Sequence, residues 1–305
     1  MSATPLPSWN HGATRDALLV FLDAASSLPR ATRVAAFDND GTLWCEKPTY
    51  LQFDFFADAL TKSADANPEL RDRPEYAAVL GADMATIGEM GLERVALALA
   101  ELFTGKTPEQ FSNDVRAFMD HARHRTLGLP ARDTVYQPML ELLDELRRRE
   151  FTIFIVSGGG TEFVRAISDD LYGVAPEAVV GTLIEYEFSR EDGRPVLRRT
   201  ARVHGQANEG AEKVTNMQTQ LGHRPILGIG NSGGDREMLE WACGGDGPGL
   251  ALLVDHDDPE REFQYRSVAG TFAEPEPITD VAHRLGWTVV SMAKDWTTIF
   301  ANPSG

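Results

Sequence analysis

The sequence predicts an α/β protein, a doubly wound parallel sheet with a block of helices inserted after its first strand. Two observations carry this reading. Short apolar runs at 34–37, 151–156, 178–184, 226–230 and 249–254 have the length of buried parallel strands, and helix-period segments separate them. Between the first and second runs, residues 46–130 keep a helical pattern with no strand signal. Three of the runs end in turns rich in acids, amides or glycine. In open α/β sheets, ligands bind in the crevice outside the carboxyl ends of the strands.

Asn10 is placed to cap a first helix whose apolar positions Ala13, Ala17, Leu18, Phe21, Leu22 and Ala25 recur at helical spacing. Trp9, just before it, reads as a lid on the core. Strand 34–37 follows and ends in Asp38-Asn39-Asp40-Gly41-Thr42. Taken alone, this motif is equally an acidic turn, since Asn-Asp-Gly is good turn chemistry.

The inserted block predicts four helices: 50–60, 75–87, 89–103, and one opened by the capping box Thr107-Pro108-Glu109-Gln110. Its aromatics Tyr50, Phe53, Phe55 and Phe56 read as the block's own core. His121 and His124, among Arg123 and Arg125, read as a solvated helix end, because no third metal ligand is near in sequence. Gly128-Leu129-Pro130 closes the block.

Strand–helix alternation then begins. Helix 138–150 leads to strand 151–156, the turn Ser157-Gly158-Gly159-Gly160 and helix 161–171. Strand 178–184 is followed by a β-hairpin over 185–203 turning at Asp192-Gly193. Helix 209–221 carries Lys213, and strand 226–230 ends in Asn231-Ser232-Gly233-Gly234-Asp235, which opens helix 235–241. Past the strand 249–254, the pattern predicts only helices and a short strand near 287–291.

Composition bounds the function. The chain has 305 residues, 42% of them hydrophobic and 25% charged, ample for a globular core. A net charge of −17 disfavours nucleic acid or an anionic membrane as a partner, since both need a basic face. Two widely spaced cysteines, Cys45 and Cys243, suggest neither a disulfide framework nor a cysteine metal site. Residues 1–9 lack a basic start and an apolar stretch, and no run approaches the roughly 20 apolar residues of a membrane span. A soluble, cytoplasmic protein is expected. Oligomeric state leaves no signal.

Two carboxylates one residue apart at a strand end can supply a nucleophile and a proton donor, but their spacing does not say which is which. Ser157 with the amides of Gly158 and Gly159, read at a helix N-terminus, suits an oxyanion such as phosphate, and equally a glycine-rich turn without a ligand.

Together, the Asp38–Thr42 motif, the Ser157 turn, Lys213 and the Asn231–Asp235 motif resemble the signature set of haloacid-dehalogenase-like (HAD) phosphatases, nearest the phosphoserine-phosphatase-like branch. The resemblance implies a Rossmann-like core over 1–45 and 131–305, with 46–130 as a helical C1-type cap. It implies a phosphatase acting on a small phosphorylated metabolite: Asp38 as nucleophile, forming an aspartyl-phosphate, Asp40 as acid and base, and Lys213 neutralising charge beside Asp38. Thr42, Ser157, Gly158 and Gly159 would hold the phosphate. Mg²⁺ would be the cofactor, an all-oxygen site suiting it, with Asp38, the Asp40 carbonyl, and Asn231 or Asp235 as ligands. Asn231 stands where the family commonly has aspartate; an amide oxygen ligates Mg²⁺ without adding charge.

Glu46 and Lys47 occupy the region where the phosphoserine branch reads a substrate amine, and leave two possibilities: Glu46 in a shifted version of that role, or Lys47 preferring an anionic group. A dehalogenase would leave Asp40 without a leaving alcohol to protonate. A phosphotransferase would use the same residues, and a non-catalytic scaffold binding a protein partner would be favoured only by Asn231.

Overall fold

The computed structural model describes residues 5–301, so the first four residues of the segment read for a leader lie outside it, as do the last four of the predicted core. Helix α1 (Ala13–Ala25) is followed by β1 (Val34–Phe37), and the inserted block comprises α2 (Leu51–Ala66), α3 (Pro74–Leu80), α4 (Met84–Met90), α5 (Leu92–Glu101) and α6 (Pro108–Met119). Then come α7 (Gln137–Arg148), β2 (Thr152–Gly160), α8 (Thr161–Tyr172), β3 (Val179–Glu191), β4 (Arg194–His204) and α9 (Ala211–Leu221). The chain closes with β5 (Leu227–Gly230), α10 (Arg236–Cys243), β6 (Leu250–Asp255), α11 (Ile278–Leu285), β7 (Thr288–Ser291) and α12 (Met292–Asp295).

Among the described residues the strands form one seven-stranded sheet in the order β4-β3-β2-β1-β5-β6-β7. All neighbours are parallel except β3 and β4. The chain winds outward from β1 to β3, then returns to the other side of β1 at β5, so the crevice of a doubly wound sheet opens at β1. Register aligns the motif turns there: Phe37 pairs with Ile155 on one side and Ile229 on the other. Asp38, Ser157 and Asn231 therefore lie along one edge, outside the level of the Phe37, Ile155 and Ile229 row.

β1 is buried on both faces because alternate side chains enter different layers. Ala35 and Phe37 join the large core with Leu18, Leu22 and Leu142; Val34 and Ala36 pack with Met217 and Met238. The large core runs on into the inserted block. There Phe55 packs against Phe103, Phe111 and Phe118, and reaches Phe163 of α8 at 5.7 Å. Trp9 is buried, donates its indole N–H to Pro138 O at 2.9 Å and meets Trp296 edge-on.

Several elements differ from expectation. Gly12, not Asn10, precedes α1, and the Asn10 amide instead donates to Lys294 O at 2.6 Å. The block holds five α-helices among the described residues rather than four: Gly81 and Ala82 (φ 50°) break the predicted 75–87 helix, and Asp83 caps the next. The capping box at Thr107 forms as predicted. Strand 178–184 and the hairpin are not separate, because β3 runs unbroken for 13 residues into the arm. The arm turns at Asp192 and Gly193, both at positive φ. β4 is tied back to the block through Gly105 N to Arg199 O (2.8 Å) and Arg199 N to Lys106 O (2.9 Å). His124 does not end a solvated helix; its Nε2 contacts Lys47 O at 2.5 Å. No helix among the described residues is long and apolar enough to cross a membrane.

Candidate active site

Asp38 follows the last residue of β1, and its amide donates to Ile229 O of β5 at 2.9 Å, which pins it to the sheet edge. The next four residues turn sharply: Leu43 N returns to Asn39 O (2.8 Å) and Gly41 N to Trp44 O (2.9 Å). Gly41 sits at φ 76°, and a Cβ there would lie 2.0 Å from Asn231 Nδ2. Glycine is needed on both counts.

Lys213, on the first turn of α9, is 2% exposed and places Nζ 2.6 Å from Asp38 Oδ1 and 2.5 Å from Asp235 Oδ1. Thr42 Oγ1 lies 3.2 Å from Asp38 Oδ2 and 3.4 Å from Asn231 Oδ1. Asp40 is held by Trp44 Nε1 donating to Oδ1 (2.9 Å) and Asn39 Nδ2 donating to Oδ2 (3.3 Å). Tyr172 fixes Asn39 in turn, its hydroxyl donating to Oδ1 at 3.1 Å.

Burial, then repulsion from Asp235, pushes the Asp38 carboxyl well above the usual carboxylate range, against the pull of Lys213. Asp40 is also raised by burial, against the Trp44 and Asn39 hydrogen bonds. Burial would lower the Lys213 ammonium, but Asp235 and Asp38 outweigh it and hold it above its ordinary value. A buried ammonium thus stands between the Asp38 and Asp235 side chains, with a third acid, Asp40, two residues along the same loop from Asp38.

The Ser157 turn differs from the sequence reading. β2 continues through Gly160 and α8 starts only at Thr161, so Ser157, Gly158 and Gly159 lie on an extended strand end, not in a helical first turn. The Gly159 amide donates to Ser157 Oγ at 3.0 Å. Gly160 N donates to Gln52 Oε1 of α2 at 2.8 Å, bringing a side chain of the inserted block onto the core turn.

Asp235 is buried, and its carboxylate is fully engaged. Oδ1 takes Lys213, and Oδ2 accepts the amides of Asn231 (3.0 Å) and Ser232 (2.9 Å). Among the described residues no three His, Cys, Asp or Glu side chains come together in metal-binding geometry. The oxygens that do converge are Asp38 Oδ2 and Asn231 Oδ1, both facing Thr42 Oγ1. A carboxylate and an amide oxygen side by side are hard donors of the kind that suit Mg²⁺, a cation that keeps several waters.

Glu46 is 5% exposed and turns inward, its Oε1 accepting from Asn231 Nδ2 at 3.3 Å. Lys47 is more open; its Nζ lies 3.6 Å from Glu46 Oε1 and 4.5 Å above the Tyr265 ring.

A wall of the site escaped the sequence reading: the excursion between β6 and α11. His256 Nε2 contacts Gly41 O at 2.9 Å while its Nδ1 faces Glu262 Oε2 at 3.3 Å. Ser267 Oγ lies 3.2 Å from Asn231 Nδ2, and Gly270 N and Thr271 N donate to Glu209, just ahead of α9. The one signal available was position, since His256 follows a buried strand as Asp38 and Asn231 do. A groove of about 760 Å³ between α6, α8 and the hairpin, lined by Arg116, Glu162 and Tyr186, includes none of the site residues above.

Among solved structures, the chain is similar to a protein of unknown function from Bordetella pertussis Tohama I, with 18% identity over 85% of this chain and 98% of the other and a TM-score of 0.54. It also resembles a functionally unknown protein from Anaerococcus prevotii, with 13% identity, 83% and 92% coverage and a TM-score of 0.50. At such identity these likenesses speak for the fold. No curated protein matches the sequence significantly. The family model described as haloacid dehalogenase-like hydrolase matches residues 35–240, a span that starts in β1 and ends in α10, and the chain belongs to that family.

Proposed function

We propose that this hydrolase is a Mg²⁺-dependent phosphatase that cleaves a small phosphate monoester through an aspartyl-phosphate on Asp38. The observation that carries the reading is Lys213 held between Asp38 and Asp235 at 2.6 and 2.5 Å, with Asp40 two residues from Asp38 and pushed upward by burial. Asp38 is a nucleophile whose orientation is set before substrate arrives, and Asp40 is a carboxyl suited to carry a proton.

In the first step an Asp38 carboxylate oxygen bonds to phosphorus as the bond from phosphorus to the ester oxygen breaks. Asp40, its Oδ1 held by Trp44, gives its proton from Oδ2 to the departing oxygen. Asp40 then takes a proton from water, which attacks phosphorus and frees phosphate and Asp38. Lys213 stays charged throughout and offsets negative charge on the phosphoryl oxygens. Thr42, Ser157 and the Gly158 amide complete the phosphate cradle. Asp38, the Asp40 carbonyl and Asn231 would hold Mg²⁺, which when bound neutralises phosphate charge, and Asp235 orients Lys213 and the Asn231 backbone.

Residues 46–130 act as a cap. Gln52 closes it onto Gly160, and closure excludes bulk water from the first step. Of the two readings of the segment after the first motif, Lys47 suits an anionic group on the substrate, since the buried Glu46 carboxylate is already shared between Asn231 and Lys47 while the ammonium keeps part of its surface open.

Hydrolysis of small phosphate monoesters by wild type, with and without Mg²⁺, and by Asp38→Asn tests the reading. Metal-dependent phosphate release that disappears in the variant is expected. A fully active Asp38→Asn would overturn it.

A further inference from the structure

We propose that Glu46 is a positioning residue: it locks the side-chain amide of Asn231 with its oxygen toward Asp38, so that the pair works only as carboxylate against amide. For the purpose of the lock, presenting an oxygen to a cation, this rests on the reading above. The pairing itself rests on geometry alone.

The oxygen and nitrogen of an asparagine amide have nearly the same shape, so only its neighbours decide which way it points. Asn231 is 3% exposed and has two acceptors on one side, Glu46 Oε1 at 3.3 Å and Ser267 Oγ at 3.2 Å from Nδ2. On the other side, Oδ1 lies 3.4 Å from Thr42 Oγ1, which itself reaches Asp38 Oδ2.

Ser267 can donate or accept and so cannot set the direction; the Glu46 Oε1 that faces Nδ2 at 3.3 Å accepts from it and holds the amide this way round. Flipping the amide would turn an oxygen onto the Glu46 carboxylate and two N–H donors toward the place where a cation belongs. A carboxylate at position 231 would meet Glu46 within about a hydrogen-bond length, where two buried carboxyl groups repel unless they share a proton.

The pair is packed closely on one side. Gly41 packs over both, since a Cβ there would stand 2.0 Å from Asn231 Nδ2 and 3.0 Å from Glu46 Cδ, and the Gly41 carbonyl is held by His256. The acid at 46 and the amide at 231 are therefore a matched choice made 185 residues apart.

The test is a four-protein cycle: wild type, Glu46→Gln, Asn231→Asp and the double variant Glu46→Gln/Asn231→Asp. Urea unfolding midpoints in chelator should fall for Asn231→Asp and recover most of the way in the double variant, where an amide at position 46 donates to a carboxylate at position 231. Calorimetric titration with Mg²⁺ should show about tenfold weaker binding for Glu46→Gln, the scale of losing a partner that orients a ligand, and wild-type or tighter binding for the double variant.

Additive effects on unfolding, or unchanged Mg²⁺ binding by Glu46→Gln, would overturn the inference. If Asn231→Asp fails to fold, recovery of folded protein in the double variant reads out the same coupling, and its failure to fold counts against it. Failure of the phosphatase reading looks different: wild type shows no Asp38-dependent turnover while the unfolding cycle still couples.

Discussion

Lys213 and Asp38 are 175 residues apart in sequence and meet at 2.6 Å, with the ammonium also bound to Asp235. All three side chains are buried, so each charge depends on the others for the solvation it has lost.

Replacing Lys213 by Met should therefore damage both stability and chemistry. Removing one partner of a buried ion pair typically costs about 3–5 kcal/mol, and loss of a fixed cation at the phosphoryl group lowers turnover by about 10²–10³. Urea unfolding and phosphate release measure the two effects separately. Retained turnover in Lys213→Met would remove Lys213 from the site.

Gly41→Ala combines a left-handed backbone with a Cβ driven into Asn231. A stability loss of about 1–3 kcal/mol is expected from the backbone alone, together with loss of turnover as Asn231 is displaced. An alanine variant with the wild-type unfolding midpoint and activity would show that the loop relaxes freely.

Gln52 tests the cap contact without touching the core. Gln52→Ala removes a single hydrogen bond, so kcat/KM should fall by up to about tenfold while the global unfolding free energy shifts by under about 0.5 kcal/mol. Unchanged kcat/KM would mean that the contact with Gly160 is incidental to closure.

Glu262 gives a pH signature away from the reacting groups. Burial raises its pKa, but the hydrogen bond and charge of His256, with help from Cys45, outweigh burial and leave it below its ordinary value of 4.5. The unfolded chain then binds more protons than the folded one near that value. The stabilisation is fully present above the unfolded pKa and is lost as pH falls through the lower folded one. Glu262→Gln should lower the urea midpoint at pH 7 and flatten its decline below about pH 4.5. Parallel profiles for the two proteins would rule out this coupling.

The fold was largely legible because buried parallel strands leave a local mark. The runs at 34–37 and 249–254 are short, apolar and bounded by turn residues, and they became β1 and β6 to within a residue. Boundaries failed where tertiary contact overrode the local pattern. The glycines after Ser157 read as a turn, yet pairing of Gly160 with Thr182 keeps β2 extended. The hairpin arm read as separate from its core strand, yet its first half is the continuation of β3, and its second half, β4, is held by α5, α6 and the 105–106 loop.

By itself the sequence determined which chemical groups stand at which strand ends, because a strand's length and its following turn are local properties of a few residues. Asp38, Asp40, Ser157 and Asn231 could be named from that pattern. Only the tertiary structure decided how they face one another. Register across β2, β1 and β5 brought the turns to one edge, and the excursion after β6 put His256 and Ser267 behind Asn231. Glu46, one of two candidates in sequence for a substrate contact beside Lys47, faces Asn231 in the fold. An amide's direction depends on neighbours far away in the chain, and no local pattern encodes them.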